Sequence, residues 1–174
     1  MKKLSLVTAL LAAWGLSSLA DAQNAKRVVR SEVMIGYHET PALSSTGSGE
    51  FVAEIDEENE VISFVFTYSG LEGGASLFAH VHFGQRGVAG GVSAFLCGGG
   101  TKPAPCPSVE GTVTGTITPA DVIGPNGQGI EPGSFGELVR AMRTGVTYAN
   151  IHTVRWPAGE IRGQIADQNQ RDAR

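Results

Sequence analysis

The chain alternates short runs of apolar, β-branched and aromatic residues with clusters of glycine, proline and charge. Residues 33–37 read as a first strand, stopped where Pro41 removes a ladder donor. In residues 50–55, Phe51, Ala53 and Ile55 fall on one face, and Glu50, Val52 and Glu54 on the other. The charged run 56–60 then turns the chain into a second apolar strand over 61–68, which predicts a hairpin. Glycine-rich 69–74 leads into a strand containing His80 and His82. A second glycine loop spans 84–91, and strands follow at 92–97, 109–117, 146–154 and 160–165. Only two places look helical. Thr118-Pro119-Ala120-Asp121 opens a turn that Gly124-Pro125 ends, and Ser134-Phe135-Gly136-Glu137 has capping-box form ahead of an apolar stripe of Leu138, Val139 and Met142. The pattern predicts an all-β fold, a Greek-key β-sandwich or barrel with one or two short helices.

The N-terminus changes the picture of where this domain works. Met1-Lys2-Lys3 is basic, residues 4–19 are apolar, and Ala20-Asp21-Ala22 has the small-x-small form of a signal-peptidase site, so cleavage is expected after Ala22. The expected organisation is a signal peptide over 1–22, a polar leader over 23–32, one β domain over 33–166 and a polar tail over 167–174. The product is then periplasmic or secreted. No later run approaches the roughly 20 apolar residues of a spanning helix. A formal net charge of −4 argues against nucleic acid as a partner, which needs a basic patch. In an oxidising compartment Cys97 and Cys106, flanking a loop rich in glycine and proline, are expected to form a disulfide. The rival reading, a cysteine metal site, lacks a Cys-x-x-Cys.

The candidate chemistry is carried by histidine. Side chains at i and i+2 of a strand share a face, so His80 and His82 project together, as do Tyr148, Asn150 and His152. Three of the four histidines therefore lie in two strands. Imidazole suits copper and zinc, and His80, His82 and His152 supply three ligands for one ion, with His38 available as a fourth. Glu39, Tyr148, Asn150, Glu160 and Arg162 would then surround and orient the imidazoles. An equally open reading has the same residues, with Gln164, closing a hydrogen-bond network that needs no ion. For Glu160 and Arg162 a structural salt bridge is favoured over a catalytic acid. Nucleophilic catalysis has no Gly-x-Ser-x-Gly to support it.

Glu39-Thr40-Pro41, Ala79-His80-Val81-His82, Tyr148-x-Asn150-x-His152-Thr153 and Pro157-x-Gly159-Glu160-Ile161-Arg162-Gly163-Gln164 together resemble the CHRD domain, first noticed as a repeat in chordin. The resemblance covers about residues 33–165. It implies an extracytoplasmic β-rich domain without an established reaction. His38 stands where that family commonly carries asparagine. The His-x-His strand is also locally similar to that of copper-zinc superoxide dismutases, whose two-metal site needs more histidines than this chain owns. Three functions are thus in view: an exported metal-binding protein for metal handling or redox protection, a non-catalytic domain that binds another protein, and, last, a dismutase-like copper enzyme.

Overall fold

Residues 27–167 are described by the structure, a computed structural model. Nine strands occur in the order β1 (Arg27–Ser31), β2 (Met34–Ile35), β3 (Ser48–Asp56), β4 (Val61–Ser69), β5 (Ser76–Phe83), β6 (Gly91–Cys97), β7 (Gly111–Ile117), β8 (Thr147–Thr153) and β9 (Ile161–Asp167). Among the described residues one α-helix, α1 (Phe135–Arg143), precedes β8. The strands form one antiparallel sheet ordered β6-β5-β8-β9-β1-β3-β4-β7, with β2 pairing β3 and β9. Residues of β3 and β4 share a single buried cluster with residues of β5, β6, β8 and β9, so the sheet folds into a sandwich around one core.

The alternation read from residues 50–68 is what builds one wall of that core. β3 and β4 pair with Phe51 opposite Phe66, Ala53 opposite Phe64 and Ile55 opposite Ile62, all buried. Asn59 closes the hairpin tip by donating from its backbone to Asp56 Oδ1 at 3.0 Å. Helix α1 buries Phe135, Leu138, Val139 and Met142. Its capping box is not formed, since Ser134 makes no side-chain cap hydrogen bond. That device occurs instead at the 3-10 turn Pro119–Asp121, where the backbone N–H and hydroxyl of Thr118 both donate to Asp121 Oδ2 at 2.9 Å.

Two expectations are corrected at the start of the domain. The polar leader expected over 23–32 contains strand β1, which sits inside the sheet between β9 and β3 with Val29 and Ser31 turned into the core. The first strand expected over 33–37 is only two residues long, because Gly36–His38 forms a 3-10 turn. The signal peptide expected over 1–22, residues 23–26 of the expected leader and residues 168–174 of the expected tail lie outside the described residues. Cys97 and Cys106 form the expected disulfide, with Cα atoms 5.2 Å apart, and tie the loop that follows β6.

Candidate metal centre

Strand pairing places the two histidine motifs side by side. β5 and β8 run antiparallel with His82 opposite Tyr148, His80 opposite Asn150 and Phe78 opposite His152, and β9 continues the rows with Gln164 beside Tyr148 and Arg162 beside Asn150. The opposite face of these strands carries Ala79, Val81, Ala149, Ile151, Ile161 and Ile165, all in the core. A half-sandwich of this kind usually leaves its second face to water. Here that face is buried too: Asn150 is 3 % exposed, Arg162 2 % and Gln164 5 %.

Loops cover it, and the polar side chains bind their backbone. Arg162 Nη2 donates to the carbonyls of Gln85 and Val88 at 3.0 and 2.9 Å, and Gln164 Nε2 donates to those of Gly84 and Gly145 at 2.8 and 3.0 Å. The Gly90 N–H donates to the Tyr148 hydroxyl at 3.1 Å. Arg86 reaches out of the same loop to Glu32, Nη1 to Oε1 2.6 Å. The rings stack in layers, with Tyr148 parallel to His82 at 4.6 Å between centroids and the Arg162 guanidinium 3.3 Å above the other side of Tyr148.

The three imidazoles converge beneath this cover. One ligand atom from each of His80, His82 and His152 lies within 4.8 Å of the others, and His80 Nδ1 is 3.1 Å from His82 Nε2. Two backbone carbonyls fix the tautomers. His82 Nδ1 lies 2.9 Å from Gly90 O, and His152 Nδ1 lies 2.9 Å from Pro157 O. A carbonyl only accepts, so in the neutral rings both protons sit on Nδ1 and both Nε2 atoms carry lone pairs. Ligands bound to a tetrahedral zinc ion at about 2.0 Å are roughly 3.3 Å apart, close to the His80–His82 separation. His152 Nε2 also lies 3.1 Å from Asn150 Oδ1. With the amide turned over, Asn150 donates its Nδ2–H to the His152 lone pair instead of toward Glu39; an ion bound there would accept that lone pair.

Electrostatics keep the rings neutral. Burial, with His152 and His82 alongside, pushes the His80 pKa down to about 3; burial takes His82 to about 4 against the pull of the Gly90 carbonyl; burial lowers His152 as well. Glu39 moves the other way, raised to about 7 by burial despite Arg162 and Asn150. A base with a depressed folded pKa takes up fewer protons folded than unfolded, so below about 6.5 the imidazoles withdraw stability as pH falls toward 4 and 3. Glu39 acts in the opposite sense. Its contribution is full below about 4.5 and is lost as pH rises to 7. Three imidazoles oppose one carboxyl, so the melting temperature is expected to fall from pH 6.5 to 4. A His82→Gln variant should flatten that slope, and an unchanged slope would show that the imidazoles do not carry it.

The other predicted site residues divide. Tyr148, Asn150 and Arg162 belong to the covered face. Glu39 is beside it: its Oε1 is buried without a hydrogen-bond partner, and Gly159, at φ 128°, passes so close that a Cβ there would lie 2.5 Å from Glu39 Oε1 and 2.9 Å from Asn150 Nδ2. His38 does not join the three. It sits in the 3-10 turn with Nδ1 3.4 Å from Glu32 Oε1. Glu160 is turned elsewhere and forms neither the expected salt bridge with Arg162 nor a link to the imidazoles. Its fully buried carboxylate accepts from the Ser45 hydroxyl at 2.7 Å, the Glu72 N–H at 2.6 Å, the Gly73 N–H at 3.1 Å and the Thr153 hydroxyl at 2.9 Å. Phe78 and Phe95 had no place in the sequence reading, yet they frame His80 at 4.9 and 4.6 Å, and Phe78 lies 4.6 Å from His152.

Residues 30–165 match the family described as CHRD domain. No curated protein and no solved structure matches the chain. Among the described residues no helix is long and apolar enough to cross a membrane.

Proposed function

Because the chain belongs to the CHRD domain family, whose name brings no reaction with it, the function has to come from the covered face, and we propose that this face binds one transition-metal ion, copper or zinc, through His80, His82 and His152. The observation that carries this reading is the fixing of His82 and His152 by the Gly90 and Pro157 carbonyls, which leaves the Nε2 lone pair of each ring open within a cluster that His80 completes. Neutral rings are the form a metal needs, so binding would release few protons. The role we infer is metal handling or redox protection by an exported protein. The Cys97–Cys106 disulfide suits that compartment, as do the basic and apolar segments of residues 1–22. A copper dismutase is the weaker version, since only three histidines converge among the described residues.

The second reading is a protein-interaction domain whose histidines are structural. It draws on the 3.1 Å contact between His80 and His82, which closes a hydrogen bond without any ion. Metal analysis of the untagged protein separates the two. About one equivalent of copper or zinc is expected, lost in His80→Ala and His152→Ala, with a melting temperature that drops on chelation. Substoichiometric metal in all three proteins and no response to EDTA would leave the structural network standing.

A further inference from the structure

Resting on the metal reading above, we infer that the site is built for a monovalent soft ion, Cu(I), in preference to Zn(II) or Cu(II). The charge around the three ligands carries the inference. Among the described residues, the cluster of groups able to share one ion contains three imidazoles and no carboxylate or thiolate. Three neutral ligands leave the whole charge of the ion uncompensated. The ligands themselves are 4, 8 and 6 % exposed for His80, His82 and His152, so that charge is held away from water. The cost of holding it there rises steeply with its size. Of the charged groups beside the site, the Arg162 guanidinium has the wrong sign and lies against Tyr148, whose other side is stacked on His82, and the Glu39 carboxyl stands beside Asn150, outside the ligand cluster.

The walls point the same way. Phe78 and Phe95 flank His80, Phe78 also lies against His152, and Tyr148 covers His82. Zinc with three protein ligands normally completes a tetrahedron with water, and Cu(II) prefers four or more ligands in a tetragonal arrangement. Cu(I) is satisfied by three nitrogens and is attracted to the faces of aromatic rings. The loop tied by Cys97–Cys106 holds Phe95 in place, for a Cβ on Gly99 or Gly100 would run into its ring at 2.6 or 2.5 Å.

The test is a competition titration of the mature, untagged protein. Cu(I) is delivered anaerobically from a chromophoric Cu(I) chelator, Zn(II) and Cu(II) from indicators of known affinity. Cu(I) is expected to bind one to one and at least about a thousand-fold more tightly than Zn(II). Equal or tighter binding of Zn(II) or Cu(II) would overturn the preference and leave the three-histidine site intact. Failure of all three ions to bind would overturn both. A Phe78→Asp variant adds the missing negative charge beside His80 and His152, and it should narrow the gap by raising Zn(II) affinity. A gap unchanged in a variant that still folds and still binds Cu(I) would refute the charge argument.

Discussion

Replacing Glu160 by alanine should lower stability by about 3 kcal/mol, since it strands the buried Gly73 N–H and the Glu72 N–H without an acceptor. In a domain of this size that is a fall of roughly 10 °C in melting temperature. The two hydroxyls that also serve the carboxylate, Ser45 and Thr153, can rotate to other acceptors, whereas the backbone donors cannot. The position matters because it ties three separate segments to the start of β9: the loop before β3, the turn before β5 and the end of β8. Glutamine makes the comparison sharper. It keeps the shape but turns one acceptor oxygen into a donor, which then faces either Gly73 and Thr153 or Glu72 and Ser45. Glu160→Gln should therefore fall between wild type and Glu160→Ala. The metal readout supplies a second axis, because Glu160 does not touch the imidazoles. Both variants should retain the stoichiometry of metal binding at temperatures where they are folded. A Glu160→Ala protein that melts with the wild type would show that the clasp is not formed.

The same residue shows where sequence reasoning stops. Period-two alternation placed His80 with His82, and Tyr148 with Asn150 and His152, and strand pairing honours both sets. Applied to Glu160 and Arg162 it failed, because Glu160 precedes β9 and its side chain is not governed by the strand's pleat. His38 was lost for a similar reason: it ends a 3-10 turn, so nothing aims it at the strands. Strand β1 went unseen because Val29 and Ser31 are the only positions of a short, charged run that enter the core, and its place is decided by pairing with β3 and β9. The cover over the histidine face was the least legible part. It depends on carbonyls of Gly90, Pro157, Gln85 and Val88, and a carbonyl is present at every residue whatever its side chain. The glycines of 84–91 announced a loop. Where that loop would lie is written in Arg162 and Gln164, 74 to 80 residues away and readable only once β9 is placed beside β8.

Gly90→Ala should damage the site without removing a ligand. A Cβ at Gly90 would fall on the carbonyl of Phe83, backbone against backbone, with Gly84 Cα 3.0 Å away, so the loop must move. Moving it withdraws two interactions at once: the carbonyl that holds the proton on His82 Nδ1, and the N–H that binds the hydroxyl of Tyr148. His82 is then free to turn, and the Tyr148 ring stacked on it loses its outer tether. Loss of a partner that orients a ligand costs roughly 10- to 100-fold in metal affinity, so the variant should bind with the wild-type stoichiometry and an affinity lower by that factor. Most of the core lies on the other face of the sheet and should survive, leaving secondary structure intact. Gly87 offers the control. It is in the same loop, and a Cβ there meets nothing within 4 Å. Because its φ is 73°, Asn is the substitution that strains it least. Gly87→Asn should keep its metal affinity. If the two variants bind alike, the loop's contact with His82 is not what orients the imidazole, and the fixing of the tautomer by the Gly90 carbonyl has to be given up.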